Sequence, residues 1–252
     1  MTRIMTRLAA LSLLAASFLL AGAPELFAQR PDFLFNRPTF TLAASAGWVM
    51  PGEGGDLFDF TREQLTVDRG DFASPALMAE LGVRITERLD LAVGLEYASR
   101  TVDSEMRDWV TQNDQPIRQS TDFSRTRVLG SLKGYLFPRG RRISQFAWVP
   151  NRWSPYLGGG VGHTWYEFTQ EGDFVDYLTE DIFADQFRAT GKGTTLHGLA
   201  GVELSLTPHL LLRGEYRYIW GDGGFSDSDF EGFGNEIDLS GSSFLLGLGV
   251  RL

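Results

Sequence analysis

Acid–base or metal chemistry in this 252-residue chain would have to start from three histidines, His163, His197 and His209, because there is no cysteine. Without cysteine there is no thiolate nucleophile, no thiolate metal site and no disulfide framework. A Ser–His hydrolase needs a His-x-Ser pair in one strand phase and a carboxylate that orients the ring. His163-Thr164-Trp165 and His197-Gly198-Leu199 both fail that pattern. A protease built on an Asp–His pair fails too, since the residues before the three histidines are Gly162, Leu196 and Pro208. His163 reads as a structural residue on an apolar strand face, His197 as a hydrogen-bonded residue on the opposite face, and His209 as a solvated turn residue. The expectation is no enzyme, no catalytic residue and no cofactor.

The other residues with chemical potential are carboxylates. Stretches 51–73, 100–124, 170–192 and 221–240 together hold 23 acidic and seven basic residues. Such stretches could bridge divalent cations to lipopolysaccharide phosphates or meet a cationic partner, while the simplest reading is loops kept solvated by charge. Asp227-Ser-Asp-Phe-Glu231 and Asn235-Glu-Ile-Asp238 offer oxygens for Ca²⁺ but lack the fixed spacing of a calcium loop. Opposed to this acidity, Arg139, Arg141, Arg142 and Arg152 load the stretch 138–152 with positive charge. Formal charge over the whole chain is −9, so a phosphate-neutralising nucleic-acid surface is not expected.

What must position these residues begins after an address segment. Arg3 and Arg7 precede an apolar run from Leu8 to Ala21, and Leu26-Phe27-Ala28 follows. That is the layout of a secretory signal, read here as residues 1–28, with cleavage after Ala28. The run is short of the ~20 residues of a membrane-spanning helix. Residues 29–37 read as a lead-in ended by Pro38, and 38–252 as one domain.

From Phe40 onward the dominant period is two, the strand period. Eight segments of about ten residues show it. Leu89, Leu91, Val93, Leu95 and Tyr97, for example, alternate with Asp90, Ala92, Gly94 and Glu96. Thr86–Arg88 and Thr207–His209 make short turns, the four acidic stretches make long connections, and 138–152 is long where a short turn is expected. This pattern predicts an all-β, eight-stranded antiparallel up-and-down barrel with turns at one rim and loops at the other.

The face opposite the apolar one carries small residues together with Glu80, Arg84, Glu96, Lys133, Glu203, Arg213, Glu215, Arg217 and Arg251. An eight-stranded barrel has room only for side chains inside, and buried charges must be neutralised. Small residues and pairable charges therefore belong inside, and the apolar face belongs in lipid. With the N-terminus in the periplasm, Trp48, Tyr97, Trp165, Tyr218 and Trp220 all fall near the upper ends of their segments, as an aromatic girdle does.

On Trp153-Ser-Pro-Tyr-Leu-Gly-Gly-Gly-Val-Gly162, Gly201-Val-Glu-Leu-Ser-Leu-Thr-Pro208, Leu212-Arg-Gly-Glu-Tyr-Arg-Tyr218 and the terminal strand, residues 38–252 resemble the small outer-membrane β-barrel family typified by the transmembrane domain of outer membrane protein A and its single-domain relatives. The resemblance implies a terminal strand read by the barrel-insertion machinery, with Gly247, Val250 and Leu252 in the matching positions. Leu252 is aliphatic where the family usually has an aromatic. No peptidoglycan-binding domain follows, so the anchoring role of two-domain relatives is not carried over. The expected protein is a monomeric, outer-membrane, structural or surface-interaction barrel whose partners are membrane lipid and lipopolysaccharide. A small-solute or hydrophobic-molecule transport barrel is the runner-up, and a lipid A-modifying enzyme comes after it.

Overall fold

The computed structural model describes residues 33–52, 56–68, 70–111, 113–176, 179, 181–229 and 236–252. The expected signal segment, 1–28, lies outside the described residues. Eight strands close a ring: β1 (Phe40–Pro51), β2 (Ser74–Arg84), β3 (Leu89–Val110), β4 (Pro116–Tyr135), β7 (Trp153–Val175), β8 (Ile182–Ser205), β9 (Leu210–Trp220) and β12 (Gly241–Arg251). Each pairs antiparallel with its successor, and β12 returns to β1 in a register running from Thr41 opposite Arg251 to Pro51 opposite Gly241. The architecture is the up-and-down barrel expected from the period-two pattern.

The wall is uneven in height. β3, β4, β7 and β8 run 22, 20, 23 and 24 residues. Their neighbours β1, β2, β9 and β12 run 12 or 11. The stretches 100–124 and 170–192, expected as loops, are mostly strand and continue the wall past the level of Tyr97 and Trp165. Pairing there no longer shows as apolar alternation, because the outward positions Thr101, Asp103 and Asp122 are polar. The Thr101 hydroxyl donates to Asp122 at 2.8 Å, a cross-strand contact suited to water. Beyond Gly221, whose φ of +145° suits glycine, β10 (Asp222–Ser228) continues along β8 and pairs with β11 (Glu236–Asp238).

Two elements in the connections were not expected. The first long connection holds a helix, α1 (Asp56–Gln64), after which Leu65 bridges to Met106 on the free edge of upper β3. The 138–152 stretch is a hairpin of β5 (Gly140–Ser144) and β6 (Ala147–Pro150) at the end that carries the short turns and both ends of the barrel chain. Leu34 of the lead-in pairs with Trp148 through two backbone hydrogen bonds of 2.8 Å, which lays the lead-in beside β6.

Outward positions on the lower wall are apolar and open, among them Leu81, Leu91, Val93, Leu132, Leu157, Leu196 and Leu246. Inward positions on the same strands are buried. Side-chain packing inside comes in layers. Interleaved with the upper charged residues sit Val49, Ala76, Met78, Ala98, Leu129 and Leu245, Leu129 being the inward neighbour of Arg127 on β4 and Ala98 that of Glu96 on β3. Higher still, Phe72, Phe123, Tyr166, Phe168, Ala189, Ile237 and Leu239 form an apolar core between the wall extensions. The sequence pattern led to an interior of small residues and charges throughout. That description fits only the lower half, because bulky apolar residues take over the inward phase where the outer face turns polar.

Candidate functional site

The lumen is the only place among the described residues where many titratable side chains are buried together, most of them in its lower half. Eight basic side chains (Arg84, Arg125, Arg127, Lys133, Arg139, Arg213, Arg217, Arg251) and five acidic ones (Glu80, Asp90, Glu96, Glu203, Glu215) are buried. Period two puts them there. Strands whose outer residues face an apolar surface must direct every second side chain inward, and a charge placed there has to find a partner.

At mid-height, Lys133 Nζ from β4 donates to both oxygens of Glu80 on β2, at 2.7 and 2.9 Å, and to Glu215 Oε2 on β9 at 2.8 Å. Arg213 pairs with Glu80 and Arg217 with Glu215, the latter at 2.6 Å. Tyr156 donates its hydroxyl proton to Glu215 Oε2 at 2.8 Å. Gly201 stands opposite Tyr156 in the register, and a Cβ there would run into the phenol ring. The two carboxylates thus sit inside a ring of donors contributed by strands spread round the barrel.

Near the end that carries the short turns, a second cluster gathers round Glu203. Tyr135 donates to Glu203 Oε1 at 2.9 Å, while Arg139 and Arg251 approach Oε2 at 3.6 and 3.5 Å. Arg139 also pairs with Asp90 at 2.8 Å. Arg139 was expected on an exposed basic turn. It is buried because the root of the β5–β6 hairpin folds up into the barrel mouth, where Asp90 and Glu203 receive it. Burial alone would push its guanidinium down, but Tyr135, Glu203 and Asp90 outweigh that and hold it above its ordinary value. Arg84 lies over the buried Trp148 ring at 5.3 Å, so the hairpin lids the mouth. Higher up, Arg127 pairs with Glu96 at 2.8 Å, and Arg125 donates to Ser74 Oγ at 2.9 Å and lies over Phe123.

Every lumen charge singled out from the sequence is therefore buried, and all of them except Arg84 are in ion pairs. Sequence reasoning left Asp90, Arg125, Arg127, Arg139, Tyr135 and Tyr156 out of the network. All but Arg139 lie on the inward parity, so extending the alternation would have found them. Trp48, Tyr97, Trp165 and Trp220 are exposed on the outer face, and Tyr218, half-buried, packs on Trp220 with ring centroids 4.8 Å apart. Tyr97 and Trp165 both stand opposite Thr126, the middle of a three-strand row. Gly247 faces inward, where a Cβ would strike Ser45 Oγ and the carbonyl of Ala44. It has a packing reason to be glycine whatever reads the strand. Val250 is half-buried and Leu252 is exposed at the chain end.

The histidines separate clearly. His197 Nε2 lies 2.8 Å from Ser131 Oγ, a nucleophile–base distance, but its Nδ1 meets no carboxylate and both residues are buried. His163 stands edge-on to Trp165 at 4.5 Å, and His209 is exposed in its turn. Among the described residues, no group of three or more His, Asp or Glu is placed to hold a metal ion. The two calcium candidates fall partly outside the described residues. Of their neighbourhood, Asp229 accepts from the Arg188 amide and Asp238 from the Ser240 amide.

Solved structures similar to the chain include Neisserial surface protein A, at 15% identity and a TM-score of 0.44 over 88% of this chain and 98% of that one. Another is outer membrane protein OprG from Pseudomonas aeruginosa, at 14% and 0.48 over 87% and 99%. A third is a major outer membrane protein from Thermus thermophilus, at 12% and 0.47 over 86% and 100%. A comparison with curated proteins gave no match. The family model described as outer membrane protein beta-barrel domain matches residues 13–251, nearly the whole chain, and the protein belongs to that family.

Proposed function

We propose that the protein is a closed outer-membrane barrel with a structural or surface-contact role, its termini and short turns in the periplasm and its tall wall outside the cell. The observation that carries this reading is the Glu80–Lys133–Arg213–Glu215–Arg217 cluster. Side chains from β2, β4 and β9 meet across the lumen, which leaves the charges held in ion pairs with one another rather than lining a water path. Above it, the Phe123–Phe168 core fills the upper lumen with side chains packed on one another. A solute would have to break both layers.

The test is single-channel recording in planar bilayers with the full chain. The expected result is an electrically silent membrane. A large, stable conductance would overturn the reading in favour of a small-solute transport barrel. Catalysis is not part of the proposed role, because the Ser131–His197 pair has no orienting carboxylate and is enclosed by the wall. Lipid A mass spectra are expected to be identical with and without the protein.

In the same reading, the girdle Trp48, Tyr97, Trp165, Tyr218 and Trp220 marks the level of the lipopolysaccharide headgroups, and the chain works as a monomer. The final strand, with Gly247, Val250 and Leu252, is what the barrel-insertion machinery reads. Divalent cations bound between the acidic outer residues and lipopolysaccharide phosphates would hold the tall wall against its surroundings. Chelation is then expected to loosen surface association without unfolding the barrel, as measured by protease access to the extensions.

A further inference from the structure

The β5–β6 hairpin does more than lid the mouth. Its root is fixed by Arg139 inside the barrel, by the Asn151 amide donating to the Arg139 carbonyl at 2.8 Å, and by Ser205 Oγ donating to the Asn151 carbonyl at 2.8 Å. Leu34 and Trp148 are buried against the mouth. A hairpin held this firmly nevertheless leaves its tip apolar and open, with Ile143 63% and Phe146 68% exposed. Arg141 and Arg142 beside the tip are exposed as well.

Just above, Leu136 and Phe137 follow β4 and Trp153 opens β7, all exposed on the lower edge of the apolar belt. Phe35 of the lead-in is also exposed, and its ring stands against Phe33 at 5.4 Å. The hairpin thus prolongs the lipid-facing surface downward and adds two cations where the belt ends. Apolar residues flanked by arginine suit the zone where acyl chains give way to phosphates.

We propose that Ile143 and Phe146 seat this hairpin in the periplasmic leaflet, with Arg141 and Arg142 on the phosphates of anionic phospholipids. The occupant is a phospholipid surface: the exposed apolar tip is continuous with the lipid-facing belt, and the flanking charge complements phosphate. The leaflet assignment rests on the orientation proposed above. Attraction to an anionic surface is worth about 1 kcal/mol, or roughly five-fold in partitioning, per basic residue.

A chain without cysteine allows single nitroxide labels to be read in the full-length protein. Labels at Phe146→Cys, at Leu81→Cys on the lipid-facing wall and at Asp108→Cys on the opposite rim would be compared in vesicles of phosphatidylcholine with and without phosphatidylglycerol. The measurement is collision with oxygen against collision with a water-soluble nickel complex. The label at 146 is expected to behave like the one at 81. It should be shielded further by phosphatidylglycerol, and Arg141→Gln with Arg142→Gln should remove that dependence.

A label at 146 as open to nickel as the one at 108, in both lipids, would overturn the proposal and point to a soluble periplasmic partner. Shielding that ignores phosphatidylglycerol and both arginines would overturn its phosphate half. Labelling intact cells with an impermeant maleimide tests the orientation separately: Asp108→Cys should react and Phe146→Cys should not. The reverse pattern would sink the orientation while leaving the vesicle result to stand.

Discussion

The lower and upper halves of the same lumen solve the same packing problem with opposite chemistry. Below, the inward positions of β2, β4, β8 and β9 carry Glu80, Lys133, Glu203, Arg213 and Glu215, paired at salt-bridge distances. Above, the inward positions of β4, β7 and β8 carry Phe123, Tyr166, Phe168 and Ala189. The outer face changes in the reverse sense at the same level, from leucine and valine to Thr101, Asp103 and Asp122. Where lipid takes the apolar residues outside, the inside is left to ion pairs. Where water bathes the outside, the barrel needs an ordinary hydrophobic core. Each half is a half-buried sheet turned inside out relative to the other.

That comparison predicts different failures in the two halves. The largest effect is expected from Glu80→Leu, which leaves Lys133 and Arg213 without their shared carboxylate. Breaking a buried pair from one side costs about 3–5 kcal/mol. Denaturant titration in detergent micelles should show that loss, while bilayer recordings should stay silent because the Phe123–Phe168 core above still fills the lumen. Wild-type stability in this variant would mean that the cluster is dispensable.

Phe168→Ala in the upper core should cost about 3 kcal/mol through the cavity it opens. The bilayer should stay silent, because the charge cluster beneath still blocks the way. Current through Phe168→Ala alone would shift the seal from the lower half to the upper. Tyr135→Phe, which removes only the hydroxyl that donates to Glu203, is expected to cost about 1–2 kcal/mol. The same titration reads it, and a change within error would show that Arg139 and Arg251 satisfy Glu203 by themselves.

Smallest of all should be Arg118→Ala on the outer wall extension. Arg118 pairs with Glu105 at 3.4 Å, with both side chains well exposed, and such pairs are worth about 0.5 kcal/mol or less. A loss several times larger would mean that the extension is held together by charge rather than by backbone pairing and its inner apolar residues.

The same inversion explains what was legible in the sequence. Within the belt, contrast between lipid-facing and lumen-facing residues is strong, and Leu89–Tyr97 reads unambiguously as a strand. The eight-stranded barrel followed from the alternation and the rhythm of short and long connections, and the interior position of nine charges from the composition of the face opposite the apolar one. Past Tyr97 and Trp165 the outward residues turn polar, so 100–124 and 170–192 read as loops although backbone pairing runs through most of both. Arg139 was misplaced for another reason. Its partners Asp90 and Glu203 are far away in sequence, and nothing local to Pro138-Arg139-Gly140 says that the turn folds back into the mouth. The ion pairs themselves, such as Lys133 with both Glu80 and Glu215, depend on registers between strands that no single segment encodes.

Pairing of β1 with β12 joins the first strand of the barrel to the last, Thr41 opposite Arg251. This contact spans nearly the entire domain, and contacts of such long sequence separation slow folding. Until the final strand is made, β1 and β9 both present bare edges, and bare edges are where chains stick to one another. The finished ring has no such edges in its lower wall, so the hazard belongs wholly to the chain before closure. Until then the apolar outer face and two bare edges are open together. A chain built this way is most prone to stick to its own kind just before its last strand pairs.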